Sequence, residues 1–331
     1  MAQPSGPIPV GVMGLGLIGR RIAQAALASP GLCLVAAVDA SPSLAGRSLL
    51  EFVPGAPRTL KIDADLGAAL GRLKGGVLLH ATGSRFPAVL PQLEAAVRAG
   101  VHVCSTCEEL AFPWLRYEEK ADGLDELAQK HQVCVLGTGV NPGFVLDRLV
   151  ACAGAASGEV RSVHAERLVD LSTRREALQR KAGMGLTEDE FERRAAQGEL
   201  GHVGLAESAA LCAVGLGLDF DEWEDEIEPL LADEDCGGPV PVKKGEVAGL
   251  YQKVRGFTEG RQVVELELSL CWGIEGAHDR IVIDADPKVD LTIEGGVPGE
   301  SATAWAVVNA APRLTRAEPG LLTVLELPAG R

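Results

Sequence analysis

Val10-Gly11-Val12-Met13-Gly14-Leu15-Gly16-Leu17-Ile18-Gly19-Arg20 runs an apolar strand into a Gly14-x-Gly16-x-x-Gly19 turn, and Arg21-Ile22-Ala23-Gln24-Ala25-Ala26-Leu27 carries it on as a helix. Gly14 permits the tight turn, Gly16 lets backbone approach a pyrophosphate without a Cβ in the way, and Gly19 lets the helix lie close on the strand. The N–H groups of Leu17 and Ile18 and the positive end of the helix dipole then face the phosphates. The stretch reads as a dinucleotide site.

In a chain with 40 glycines the pattern gains its weight from the next strand. Leu32-Cys33-Leu34-Val35-Ala36-Ala37-Val38 is a second apolar run, and it ends in Asp39. A βαβ nucleotide unit places there the carboxylate that accepts from the adenosine ribose hydroxyls. A carboxylate argues for NAD, because it repels a ribose 2′-phosphate. Ser41, Ser43 and Arg47 come next and could hold that phosphate if Asp39 turned away, so NADP stays open; otherwise Arg47 is an ordinary solvated charge.

The 331 residues suffice for two domains, and 47% hydrophobic content fits a globular protein. No apolar run reaches the ~18 residues of a membrane span, and Met1-Ala2-Gln3-Pro4-Ser5-Gly6-Pro7 lacks the charged-then-apolar layout of a signal peptide, so a cytoplasmic protein is expected. A net charge of −15 argues against nucleic acid or an anionic membrane as partner. Ten acidic residues between Asp219 and Asp235, with no basic one among them, read as a solvated surface rather than a divalent-ion site. Eight cysteines do not make a disulfide framework, and Cys33, Cys134, Cys152, Cys212 and Cys271 read as small core residues. Cys104-x-x-Cys107 has no second pair to complete a zinc set, and no metal is expected.

Strand, loop and helix then alternate. Residues 75–84 form a buried strand ending in the small-residue loop Ala81-Thr82-Gly83-Ser84, where Ala81, Thr82 and Ser84 border the cofactor crevice. A helix at 87–99, a strand at 101–105, a helix at 114–130 and a strand at 133–136 come next, and residues 144–155 read as a connecting helix. This is a Rossmann doubly wound parallel sheet. The second half changes to extended segments at 160–171, 240–257, 262–272, 281–283 and 289–294, several with period-two alternation, and helical stretches at 187–197 and 203–216. It reads as an α+β domain with a mostly antiparallel open sheet, one face wet. A last helix at 301–311 stops at Pro312. The expected division is 1–143 for the nucleotide domain, 144–300 for substrate and dimerisation, and 301–331 returning to the first.

A dinucleotide enzyme needs a proton-handling group beside the hydride acceptor, and six histidines and two tyrosines offer few choices. Glu108 and Glu109, in the loop after the 101–105 strand, sit on the carboxyl edge of the sheet. One is the candidate; otherwise the pair compensates a helix N-terminus, for about 0.3–1 kcal/mol. Leu110, Phe112, Pro113 and Trp114 would raise a nearby carboxyl's pKa. Asn141, in Asn141-Pro142-Gly143, offers an amide to the nicotinamide or substrate and also reads as a helix cap with Pro142 first in the helix. His202 opens a second-domain helix and either faces the cleft or lies on the surface. Leu171, Met184 and Trp272 join it as pocket-wall candidates.

Val12-Met13-Gly14-Leu15-Gly16-Leu17-Ile18-Gly19, His80-Ala81-Thr82-Gly83-Ser84, Cys107-Glu108-Glu109-Leu110, Gly139-Val140-Asn141-Pro142-Gly143-Phe144 and Gly201-His202-Val203-Gly204-Leu205-Ala206-Glu207-Ser208 together resemble the 2,4-diaminopentanoate dehydrogenases and related native amine dehydrogenases. The resemblance runs from Val10 to Asn309-Ala310-Ala311-Pro312. It implies oxidation of a primary amine to a carbonyl with release of ammonia, or the reverse reductive amination, with NAD(H) or NADP(H), in a homodimer. It places the acidic catalytic residue on Glu108, where homoserine dehydrogenases carry lysine, and puts Asn309 among the cofactor contacts. Dihydrodipicolinate reductases share the nucleotide domain, but their His-His-x-x-Lys-x-Asp and Ser-Gly-Thr motifs are missing between Val163 and Leu186. A reductase of a cyclic imine or unsaturated ring, and a nucleotide sensor without catalysis, are the competing readings.

Overall fold

The computed structural model describes residues 6–329. Residues 1–5, which carry most of the segment read for a signal peptide, lie outside them. Strands and helices run in the order β1 (Ile8–Met13), α1 (Leu17–Leu27), β2 (Leu32–Val38), α2 (Gly67–Leu70), β3 (Val77–His80), α3 (Phe86–Arg98), β4 (His102–Ser105), α4 (Trp114–His131) and β5 (Cys134–Gly137). Next come α5 (Arg148–Gly154), β6 (Val160–Asp170), α6 (Glu176–Lys181), α7 (Glu188–Ala196), α8 (Leu205–Leu216), β7 (Glu222–Leu231), β8 (Val247–Thr258), β9 (Arg261–Cys271), β10 (His278–Ala285) and β11 (Val289–Glu294). Helix α9 (Gly299–Leu314) and β12 (Gly320–Leu322) close the chain.

Two compact units result, one from residues up to Phe144 together with those from Pro298 on, the other Val145–Val297. The first carries a six-stranded parallel sheet in the order β12-β5-β4-β3-β1-β2. Its inner strands are buried along their length, as apolar runs covered on both faces must be, and Phe86, Leu93, Leu110 and Leu124 fill one of the layers above them. Helix α9 packs on α1 and on β4.

The second unit carries a six-stranded sheet, β11-β10-β6-β9-β8-β7, in which only β6–β9 is a parallel pair. Strict alternation places Val163, Ala165, Leu266, Leu268 and Val254 on the face that α8 covers. His164, Glu166, Tyr251, Lys253, Glu265 and Glu267 lie half-buried on the other. The mixed α/β architecture is therefore the expected one.

Several details differ from expectation. Residues 141–147 form turns, and the helix expected from 144 begins only at Arg148, with Asp147 as its cap. The acidic run is not merely surface: residues 222–231 form β7, an edge strand that carries its carboxylates outward where they discourage pairing with another chain. Helix α9 continues through Pro312, which lies in its last turn. The short β12 has no periodicity that would betray it; parallel pairing with β5 makes it a strand. Cys33 and Cys152 are exposed and Cys271 half-buried, so only Cys134 and Cys212 of the five expected core cysteines are buried. Cys33 points outward because β2 is an edge strand.

Candidate active site

The glycine turn fits a pyrophosphate. A Cβ on Gly14, whose φ is +86°, would strike the carbonyl of Ala81, and one on Gly19 would fall on the carbonyl oxygen of Gly14, so both close approaches require glycine. Around Gly16 the space is open. Helix α1 begins there with no side-chain cap and no acidic residue in its first turn, so its N–H groups and dipole point at a position where an anion would sit. Leu17 is exposed and Ile18 half-buried beside that opening.

Asp39 forms the next corner. Its Oδ2 accepts from the Leu15 N–H at 2.7 Å and its Oδ1 from the Ser41 N–H at 2.8 Å. The carboxylate is thus pinned between the glycine turn and the loop after β2, and has not turned away. Arg47 is a paired charge: Nη2 and Nε lie 2.5 and 3.0 Å from Glu51 Oε2, and Nη1 donates to the Ser43 carbonyl. Its guanidinium sits 4.5 Å from the centre of the Phe52 ring, and that of Arg20 sits 4.9 Å from the same ring. Arg20, which the sequence reading passed over, also donates Nε–H to the Leu15 carbonyl at 2.7 Å. Its place directly after Gly19, one helical residue from the phosphates, was the signal.

The strand ends align. Met13 pairs with His80, His80 with Ser105 and Ser105 with Gly137, so the loops after β1, β3, β4 and β5 leave from one row on the carboxyl edge. With strands about 5 Å apart, the turn after β4 begins roughly 10 Å along that edge from the glycine turn. Glu108 opens the 3₁₀ turn Glu108–Ala111 there and is half-buried.

The structure separates the two glutamates. Glu109 is 1% exposed; its Oε2 accepts from the Phe86 N–H at 2.8 Å, satisfying the start of α3, and its Oε1 lies 2.8 Å from Arg85 Nη1. Its own N–H donates to the Ser84 carbonyl at 3.2 Å, which joins the loop after β3 to the turn after β4. Helix compensation is therefore the work of Glu109. A further set, absent from the sequence reading, lies beneath: buried His80 and Ser105, with Nδ1 and Oγ 2.8 Å apart. Burial pushes the His80 imidazole down to about 4, against an ordinary 6.5.

Asn141 is 8% exposed in the turns after β5, and it caps no helix because none starts there. The same loop is tied to α9 where the Val140 N–H donates to Thr303 Oγ1 at 3.2 Å. Asn309 lies half-buried on that helix; Ala81 and Ser84 are half-buried and Thr82 exposed at the end of β3. In the second unit, His202 precedes α8, and Gln252 clamps its backbone, accepting from its N–H at 2.7 Å and donating to its carbonyl at 3.3 Å. Leu171 and Met184 are buried, and the Trp272 ring lies against Gly238.

Cys104 and Cys107 are buried thiols whose pKa values burial pushes up, Cys107 to about 12, so both hold their protons at neutral pH. His164, Glu265 and Glu267 come within metal-ligand spacing on the second sheet. Lys253 Nζ already lies 2.8 Å from Glu267 and 3.7 Å from Glu265, which makes this a charge network.

A profile described as the 2,4-diaminopentanoate dehydrogenase C-terminal domain matches residues 144–331. The 2,4-diaminopentanoate dehydrogenase of Acetoanaerobium sticklandii is 30% identical over 334 residues, spanning 98% of this chain and 94% of its own. An amine dehydrogenase of Streptomyces virginiae is 25% identical across 96% of this chain and 95% of its own. The solved structure of an amine dehydrogenase from Mycobacterium smegmatis shares the fold with a TM-score of 0.85, at 23% identity, over 99% of this chain and 98% of that one.

Proposed function

The chain belongs to the 2,4-diaminopentanoate dehydrogenase family, and from that premise we propose that it is an NAD(P)-dependent amine dehydrogenase, with Glu108 as the proton-handling group. It interconverts a primary amine and a ketone or aldehyde plus ammonia. The observation that carries the residue assignment is the division of labour after β4: Glu109 is buried and occupied by Phe86 and Arg85, while Glu108 stands half-buried on the carboxyl edge, two strands from the glycine turn.

The dinucleotide's pyrophosphate belongs at Gly14, Gly16 and Gly19 and the N–H groups of Leu17 and Ile18, with the adenosine ribose at Asp39 and Ser41 and Arg47 at its rim. Ala81, Thr82, Ser84, Asn141 and Asn309 complete the cofactor contacts. Asn141 and His202 are assigned to the substrate. A dinucleotide held there would supply the hydride for reduction of the iminium, or accept it in the reverse direction.

In the aminating direction ammonia attacks the carbonyl carbon. Glu108 takes a proton from the nitrogen as the C–N bond forms and passes it to the carbonyl oxygen, giving the carbinolamine; a second proton, which the carboxylate takes up from solvent, goes to that hydroxyl, which leaves as water. The carboxylate, again an anion, then stabilises the iminium cation. In the deaminating direction Glu108 takes a proton from the attacking water and delivers one to the departing nitrogen. A carboxylate suits these steps because the charge that develops on the substrate is positive.

We place the enzyme in the cytoplasm, which its eight unpaired cysteines favour, and as a homodimer through the half-buried polar face of the second sheet. Among the described residues no helix is long and apolar enough to cross a membrane. The test is a panel of carbonyl compounds assayed with NADH and with NADPH, each with and without ammonium. Cofactor oxidation that requires ammonium and yields an amine supports the assignment. Oxidation independent of ammonium transfers it to a reductase of imines or unsaturated rings, and none with any carbonyl leaves a nucleotide sensor.

A further inference from the structure

His80 closes β3 and is buried, yet no step above uses it. Its Nε2 lies 2.8 Å from Gln92 Oε1 and 2.8 Å from Thr82 Oγ1, and the Thr82 hydroxyl itself donates to Gln92 Oε1 at 2.6 Å. Both neighbours of Nε2 are therefore acceptors, which puts the ring proton on Nε2 and leaves Nδ1 an acceptor. The Ser105 hydroxyl, 2.8 Å from Nδ1, therefore donates its own hydrogen to Nδ1. Its oxygen is then left to accept, and it accepts from the Cys107 N–H at 3.0 Å. Cys107 is the residue from which the Glu108 turn starts.

The geometry points to His80 as a positioning residue: through Thr82 on one side and Ser105 and the Cys107 N–H on the other, it holds the loop after β3 and the Glu108 turn in one fixed relation. The inference rests on Glu108 as the proton-handling group. Each hydrogen bond in the chain has one allowed direction, so reversing or removing a bond on the Ser105 side, the side that reaches the Cys107 N–H, loosens the turn that aims Glu108. Loss of the Ser105 end falls on the chemical step rather than on cofactor affinity, because that end leads to the Glu108 turn, while the glycine turn and Asp39 lie outside the chain and Thr82 lies at its other end.

The two isosteric substitutions divide the ring. His80→Asn keeps an acceptor at the Nδ1 position, and with it the Ser105 end. His80→Gln keeps a donor at the Nε2 position and loses Ser105. We expect His80→Gln and Ser105→Ala each to lower kcat about tenfold or more, the double variant no further than either, and His80→Asn at most about threefold. Cofactor dissociation constants, read from NADH fluorescence, should stay within about twofold throughout. Equal kcat losses in His80→Asn and His80→Gln, or losses that multiply in the double variant, overturn the proposal. So does a loss carried by cofactor affinity.

A second readout does not depend on turnover. In imidazole-¹⁵N spectra of the whole protein, His80 should show an unprotonated Nδ1 whose resonance moves in Ser105→Ala; a protonated Nδ1 refutes the chain of bonds outright. Glu108→Gln is the control. If it turns over like the wild type, the reading of Glu108 has failed, and the spectra alone decide whether the His80–Ser105 link exists.

Discussion

Glu109→Ala and Glu108→Gln should fail in opposite ways. Removing the Glu109 carboxylate leaves the buried Phe86 N–H without its acceptor, for about 1–3 kcal/mol. The lost Arg85 pair adds less than about 1 kcal/mol, because 51% of that arginine side chain is exposed and water screens it. The sum is about 1–4 kcal/mol. In a unit of this size each kcal/mol moves the midpoint by roughly 2–4 °C, so Tm should fall by roughly 2–15 °C. Turnover measured well below Tm should drop far less than in Glu108→Gln. That variant keeps the size of the side chain and its half-buried place while losing the exchangeable proton, so kcat should fall by about 10²–10⁴-fold with Tm nearly unchanged. Calorimetry and steady-state kinetics on both proteins decide it. Full turnover in Glu108→Gln, or a Glu109→Ala protein that melts like the wild type but is catalytically dead, would show the roles to be reversed.

Gly16→Ala adds a methyl where nothing lies within 4 Å; Tm should hold while cofactor KM rises about tenfold, since the methyl occupies the pyrophosphate's approach. Gly19→Ala should yield little folded protein, because its Cβ collides with the Gly14 carbonyl. With Asp39 pinned by the Leu15 and Ser41 N–H groups, KM for NADPH should exceed KM for NADH, and Asp39→Ser should narrow that ratio by about tenfold; a wild type that prefers NADPH refutes this. Arg167 and Asp279 pair at 2.9 Å, both nearly dry, so Arg167→Met should cost about 3–5 kcal/mol in urea unfolding, and adding Asp279→Leu should recover at least half. His80 holds a proton less readily folded, at about 4, than unfolded, near 6.5. Stability should therefore fall as pH drops through that window, by about 3 kcal/mol in all, and His80→Asn should remove that part of the pH dependence.

How much was legible depended on whether the cause was local. Gly14, Gly16 and Gly19 announce themselves because a Cβ clash is a property of one residue and its turn. Asp39 announces itself because it ends a strand. The alternation in β6, β8 and β9 was readable for the same reason: successive side chains of a strand must face opposite ways. Asn141 misled because a residue before Pro142 looks like a cap, while the chain stays in turns up to Asp147.

From the chain alone came the nucleotide domain, the parallel and antiparallel halves, and a pair of glutamates beside the nicotinamide's expected place, since each arises from spacing and from side-chain size. Folding decided which glutamate was committed to holding a helix. Glu109 faces the first N–H of α3, a group 23 residues away in sequence, and no local pattern records that meeting. The same holds for β12 against β5 and for His80 against Ser105: their partners are set by how strands stack, so their roles exist only once the sheet has formed.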